Sequence, residues 1–83
     1  MEYSAIYVRR IRQLCRERGL SINGLVTMSG VKRSTLDNIV RGLAKNSGIM
    51  TMHRLAMAFN MNILEFLDFL ELNDYSFDEE SED

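Results

Sequence analysis

The sequence predicts an all-α domain of five helices followed by an acidic C-terminal tail. Pro and Trp are absent from the 83 residues, and strand-type alternation of polar and apolar side chains is scarce. Leu, Met, Ala, Arg and Glu, which favour helices, occur throughout. A chain of this length forms one domain with a small core. We place the domain at residues 1–72 and the tail at residues 73–83.

The first helix is expected from about Ser4 to Arg18, before a stop at Gly19. One face carries apolar side chains at the spacing i, i+1, i+4, i+7 and i+8. Its members are Tyr7, Val8, Ile11, Leu14 and Cys15. The opposite face is interpreted as a solvated surface that adds positive potential. It contains Arg9, Arg10, Arg12 and Arg16. A direct contact with a bound ligand is left open only for Arg10.

Residues 22–42 predict two short helices joined by a tight turn. Ser21 can cap the second helix, from about Ile22 to Met28. Gly30 is expected to adopt the left-handed conformation that lets the chain turn sharply. The third helix, at 33–41, buries a stripe formed by Leu36, Ile39 and Val40. A helix that follows such a turn can enter a DNA groove.

The fourth helix is expected from Met52 to Phe59, with Thr51 as its cap, and Asn62 is expected to cap a fifth helix at 63–72. The fifth helix is too apolar for one buried stripe. Its expected inner face consists of Ile63, Phe66, Leu67 and Leu70. The remaining apolar side chains mark a candidate dimer interface. They are Leu64, Phe69 and Leu72.

The net charge of −2 hides a strong division along the chain. Residues 1–64 carry ten cations and three anions, whereas residues 65–83 carry nine anions and no cation. A basic body suits a polyanionic ligand, and the acidic end suits a solvated or self-shielding tail. Ordinary surface charge with a solubilising tail is the alternative. The tail is expected to be mobile, with a packing role left open for Tyr75 and Phe77.

Several functional classes find no support in the sequence. No secretion signal or membrane-spanning run is visible, and a single cysteine, Cys15, forms no intrachain disulfide. We therefore expect a cytoplasmic protein. One Cys and one His, His53, are too few for a metal site, and no phosphate-binding loop or paired carboxylates occur. We expect no enzyme activity and no cofactor.

The spacing of small and apolar residues from Ile11 to Phe69 resembles the phage-repressor/Cro-type (XRE family) helix-turn-helix domain. The matching marks are Ile11, Leu14, Gly19, Leu20, Ser21, Leu25, Gly30, Val31, Ser34, Thr35, Leu36, Ile39, Arg41, Gly42, Leu55, Ala56, Phe59 and Met61, with the helix at 63–69. The resemblance implies a five-helix domain that binds double-stranded operator DNA, usually as a symmetric homodimer.

Four positions depart from the family pattern. Ile22 stands where Gln often grips a phosphate, and Val26 stands where a small residue is usual. Ser29 replaces an apolar residue. Lys32 occupies the usual Ser or Thr cap of the recognition helix, so that cap is expected to be weak.

Cys15 and Val40 replace a buried ion pair that similar domains often carry. Loss of one partner would leave a buried charge, at about 3–5 kcal/mol, whereas replacing both can be neutral. We expect these two apolar side chains to touch.

The resemblance assigns base contacts to the outer side of the third helix, which would lie in the major groove. The candidates are Arg33, Ser34, Thr35, Asp37 and Asn38. Arg33 could pair with guanine and Asn38 with adenine. Asp37 could accept from cytosine or orient Arg33 or Arg41 one turn away.

Phosphate contacts, which position a protein on DNA, are expected from side chains that flank this helix. The candidates are Ser21, Asn23, Lys32, Arg41, Lys45 and Asn46. The function predicted on these grounds is a sequence-specific transcriptional regulator that acts as a dimer; repression is the expectation, and activation is left open. The alternative is a protein-interaction module of the same fold, antitoxin-like or accessory, that binds an unknown protein partner through the fifth helix and the tail.

Overall fold

A computed structural model describes residues 3–44 and 47–77, and all regular secondary structure in those ranges is helical. There are six helices in that part of the chain: α1 (Tyr3–Arg18), α2 (Ile22–Ser29), α3 (Arg33–Val40), α4 (Ile49–Ala58), α5 (Ile63–Leu67) and α6 (Leu70–Asn73). The predicted all-α fold is confirmed. It has one helix more than expected because the fifth predicted helix is interrupted.

The core lies where α1 packs against α3 and α4 packs against both α2 and α5. Leu25, Leu36 and Leu55 are fully buried at these contacts. The rings of Phe59 and Phe66 stack with centroids 6.2 Å apart and close the α4–α5 side of the core. Helices α1 to α5 therefore contribute large apolar side chains to one continuous cluster.

The buried face of α1 follows the predicted periodicity with one shift. Ile11, Leu14 and Cys15 are buried as expected, and Ile6 is buried as well. Tyr7 and Val8 are only half-buried. Cys15 and Val40 belong to the same core cluster, and their direct contact stays a prediction.

The turn between α2 and α3 has the predicted geometry. Ser21 caps α2, since its Oγ accepts a hydrogen bond from the Gly24 N–H at 3.0 Å. Gly30 has φ +73° and donates its N–H to the Val26 carbonyl at 3.2 Å. Ser29 is buried, and its Oγ accepts from the Val31 N–H at 3.1 Å. This bond explains how a polar residue replaces an apolar one at that position.

The start of α4 differs from the expectation. The helix begins at Ile49 rather than Met52, and its N-cap is Gly48, which makes no side-chain capping bond. Thr51 is therefore inside the helix and does not cap it. Ile49 and Met50 are exposed, and for that reason the periodicity of buried side chains could not reveal the first turn.

The predicted fifth helix is divided into α5 and α6 by an extended residue. Asn62 caps α5 as predicted, in a reciprocal capping box with Glu65. The chain then leaves helical geometry, and Phe69 has φ −138° and ψ 153°. This break reverses the phase of the next residues, so Phe69 is 8% exposed and Leu70 is 70% exposed. A continuous helix would have buried Leu70 and exposed Phe69.

Arg10 fixes this break from α1. Its guanidinium donates to the carbonyls of Phe66, at 3.1 Å, and of Glu65, at 3.0 Å. The same group lies over the Phe69 ring, 5.2 Å from its centroid. These contacts satisfy the last carbonyls of α5 and hold Phe69 inward. Arg10 is thus a structural residue rather than part of a solvated face.

The first residues after α6 pack against the start of α1. The Tyr3 ring lies 4.9 Å from Tyr75 and 5.4 Å from Phe77, measured between centroids. The packing role that the sequence left open for these two aromatics is therefore present. Residues 78–83, with five of the tail's anions, lie outside the described residues, and the division of the chain at residue 72 stays a prediction.

Candidate nucleic-acid interface

The helix-turn-helix pair α2–α3 is anchored on the core. Leu25 of α2 and Leu36 and Ile39 of α3 are buried, whereas the remaining faces of the two helices are open. Because the buried side chains lie on one side of α3, its opposite side is presented as a continuous outer surface.

That outer surface carries the side chains predicted to contact bases. Arg33, Ser34 and Asn38 are exposed, and Thr35 and Asp37 are half-buried. Hydroxyl, amide and guanidinium groups are therefore distributed along about two turns of helix. This set can donate to and accept from base edges in a groove.

Two of the predicted contact residues bind each other across the turn. A guanidinium N–H of Arg33 donates to the Asn23 side-chain oxygen. Asp37 has neither Arg33 nor Arg41 within ion-pair distance among the described residues. Arg33 is therefore oriented by α2 rather than by Asp37, which sequence spacing alone had suggested.

The phosphate candidates flank α3 on two sides. Ser21 is exposed at the start of α2, and Arg41 is exposed just after α3. Lys32 is exposed at the N-cap of α3 and makes no side-chain capping bond, as expected from its identity. The first N–H groups of α3 thus receive no side-chain cap. Lys45 and Asn46 lie outside the described residues.

A depression of about 210 Å³ separates α3 from the start of α4. Its lining residues are Thr35, Asn38, Ile39, Ala44, Ser47, Gly48 and Thr51. Two predicted base readers, Thr35 and Asn38, therefore share one concave surface with Ser47 and Thr51, which sequence reasoning did not select. The Ser47-Gly48 pair marks a turn in the sequence, but a turn marker alone does not indicate a binding surface.

Groups of three or more potential metal ligands are absent from the described residues. Burial raises the pKa of the Cys15 thiol above its ordinary value, against the opposing effect of the Arg12 charge. This buried thiol is therefore a neutral core group. No helix in the described part of the chain is long and apolar enough to cross a membrane.

Comparison with known families decides the assignment. Residues 10–71 match the Cro/C1-type HTH DNA-binding domain. The chain belongs to this family. The matched range contains α2, α3 and all the described candidates for DNA contact. A family of DNA-binding domains of transcriptional regulators is not an enzyme class.

One relative is the SPbeta prophage-derived uncharacterized HTH-type transcriptional regulator YopS of Bacillus subtilis (strain 168). It is 30% identical over 59 residues, which cover 71% of this chain and 80% of the relative. Among solved structures, the prophage Lp1 protein 11 matches with TM-score 0.79 at 22% identity, over 90% of this chain and 100% of that one. A chain of the SinR protein/SinI protein complex matches with TM-score 0.68 at 26% identity, over 88% of this chain and 70% of that one.

The candidate dimer residues occupy different environments in this Cro/C1-type domain. Leu64 is 76% exposed, and its place in a dimer interface stays a prediction. Leu72 is half-buried. Phe69 is corrected from a surface residue to a core residue, because the break before α6 turns it inward under Arg10. Leu70 takes the exposed place that Phe69 was expected to have.

Proposed function

We propose that this chain is a sequence-specific transcriptional regulator that places α3 in the major groove of an operator. The outward row of Arg33, Ser34 and Asn38 on a helix anchored by buried Leu36 and Ile39 is the observation that carries the proposal. A rigid helix that presents different hydrogen-bonding groups to one side suits direct readout of base edges.

Within this proposal each α3 side chain has a role set by its chemistry. Asn38 pairs with adenine through N6 and N7, and Arg33 reaches guanine after exchanging its Asn23 bond for O6 and N7. Ser34 and Thr35 contact bases or phosphates at the start of the helix. Asp37, which is half-buried, accepts from a cytosine amino group.

The backbone contacts come from both sides of α3. On one side of the groove, the backbone phosphates are bound by Ser21 and Asn23. On the other side, they are bound by Lys32, Arg41, Lys45 and Asn46. These contacts set the position on DNA and supply the salt-dependent part of the affinity.

We further propose a homodimer that binds a near-palindromic site. Two copies would place their α3 helices about 34 Å apart, one turn of DNA. The exposed side chains of Leu64 and Leu70, with half-buried Leu72, form the proposed apolar contact. Occupation of the operator would exclude other proteins from the same DNA, which favours repression.

A selection of binding sites from random duplex DNA tests this function. The winning duplex is then titrated with the protein at about 50 and 200 mM salt. The proposal requires a two-fold-related motif and an affinity that falls steeply with salt. Weak binding without any motif would contradict it.

A second candidate function is a protein-interaction module of the same fold. The apolar side chains of Met57 in α4, Leu64 in α5 and Leu70 in α6 are all exposed. One similar structure is that of a protein–protein complex. A module of this kind would keep partner binding after Ser34→Ala and Asn38→Ala. A DNA reader would lose its operator, whereas the control His53→Ala, on the exposed side of α4, would be neutral.

A further inference from the structure

The outer face of α1 carries an arginine row that the proposed base and phosphate contacts do not use. Arg9, Arg12, Gln13 and Arg16 recur at i, i+3, i+4 and i+7 and so share one side of the helix. Like charges at these spacings repel each other and weaken a helix. Repulsion along the row therefore works against α1, although Arg16 is favourably placed in the last turn of the helix.

Only one arginine of this row, Arg9, has a carboxylate at ion-pair distance in the described part of the chain. Arg9 approaches a Glu71 carboxylate oxygen at 3.9 Å. Glu17, the one acidic residue in the described part of α1, accepts from Gln13 at 3.0 Å and pairs with Arg18 at 3.6 Å. Within residues 3–44 and 47–77, Arg12 and Arg16 have no carboxylate at ion-pair distance.

The Arg12–Arg16 pair lies at the edge of the proposed DNA-facing surface. A depression of about 360 Å³ joins both side chains to the start of α2, and its lining residues are Arg12, Cys15, Arg16, Leu20, Ser21 and Ile22. Arg12 also donates to the Val40 carbonyl at the end of α3, at 3.5 Å. The pair is therefore adjacent to Ser21, a proposed phosphate ligand, and to the recognition helix.

We propose that Arg12 and Arg16 bind backbone phosphates of the operator next to the one at Ser21, so that the phosphate contacts continue along α1. The inference rests on the proposed DNA binding. Both side chains are exposed and lie about 6 Å apart along the helix axis, so they can reach different phosphates of one strand. A guanidinium group matches phosphate oxygens with paired N–H donors.

The test measures affinity for the selected duplex between about 50 and 200 mM salt. The double variant Arg12→Gln/Arg16→Gln should lower the slope of log affinity against log salt by about 1.8, since each phosphate contact contributes about 0.9. The wild type should therefore lose about tenfold more affinity than the variant across this range. Arg16→Gln alone, which leaves the Arg12–Val40 hydrogen bond in place, should lower the slope by about 0.9.

Arg9→Gln is the matched control, because it removes the same charge from the same helix face beside Glu71. Its slope should equal that of the wild type. A duplex with one neutral methylphosphonate outside the Ser21 contact provides a second readout. It should weaken the wild type and the Arg9→Gln variant but leave the double variant unaffected.

The outcomes separate this inference from the proposed function. If the wild type binds its site and the double variant has the same slope of log affinity against log salt, the inference alone is overturned. An acidic protein partner would then be the better candidate ligand of the arginine row. Failure of the wild type to select any duplex would overturn both.

Discussion

At the scale of single residues, the side of the molecule proposed to face DNA uses polar side chains for folding, and the same side chains are the proposed DNA contacts. Ser21 accepts from the Gly24 N–H, and its own hydroxyl hydrogen remains available to donate to the proposed phosphate. Asn23 accepts from Arg33 across the turn. The sequence indicated these residue types as phosphate and base contacts, but spacing along one helix could not reveal the bond between two helices.

Replacement of Ser21 by Ala should lower the free energy of unfolding by about 1 kcal/mol, because the capping bond to Gly24 is lost. For a domain of this size that corresponds to a fall in Tm of about 4–8 °C. Ser34→Ala is the matched control, since Ser34 is exposed on α3. It should change Tm little while it weakens operator binding. Equal Tm values for both variants would contradict the capping role.

Tyr7 gives the fold a defined sensitivity to alkaline pH. Burial, and then the hydrogen bond that Tyr7 donates to Tyr3, raise the pKa of Tyr7 above its ordinary value of 10.0. The unfolded chain releases this proton first, so stability is fully present below about pH 10 and declines above it. The urea midpoint should fall as the pH rises above about 10, and it should fall less in Tyr7→Phe. An identical decline in the variant would refute this assignment.

At the scale of helices, periodicity predicted α1 to α3 well because each has one apolar stripe that meets a single core. It failed at α5 and α6 because the break depends on Arg10, which lies far away in the sequence and donates to the carbonyls of Glu65 and Phe66. It also failed at the start of α4, where Ile49 and Met50 are apolar but exposed. A local sequence pattern reveals neither a contact from a distant residue nor the exposure of an apolar side chain.

Two adjacent substitutions test the reversed phase after the break. Phe69→Ala should lower the free energy of unfolding by about 3–5 kcal/mol, since it removes a buried ring. Leu70→Ala should change it by less than about 0.5 kcal/mol, since that side chain is exposed. Urea unfolding of the two variants measures both values. If Leu70→Ala lost more unfolding free energy than Phe69→Ala, the result would support the continuous helix that the periodicity predicted.

At the scale of the whole molecule, charge is divided between a basic body and an acidic C-terminal end. Of the nine anions after residue 64, Glu71 lies beside Arg9 of α1. Tyr75 and Phe77 bring the end of the described chain to Tyr3, at the start of the same helix. The described chain thus ends close to the start of α1, and we expect the carboxylates of residues 78–83 to compete electrostatically with DNA for the basic body.

Removal of residues 78–83 should tighten DNA binding at low salt. It deletes five of the twelve anions and changes the net charge from −2 to +3, and it spares the aromatic contacts of Tyr75 and Phe77. The gain should vanish as salt screens the charges. A full-length variant with Asn and Gln in place of these anions should behave the same way. Unchanged affinity at low salt would exclude competition by the tail.

Base reading by α3 is tested most directly by titrating Asn38→Ala and Lys32→Ala against the selected duplex and all its single-base variants. We expect Asn38→Ala to cost about 1–3 kcal/mol and to relax the preference at one base pair of each half-site. Lys32→Ala should weaken all duplexes equally and lower the salt slope by about 1. If Asn38→Ala instead retains the wild-type affinity and the full base preference, α3 does not read the operator as proposed.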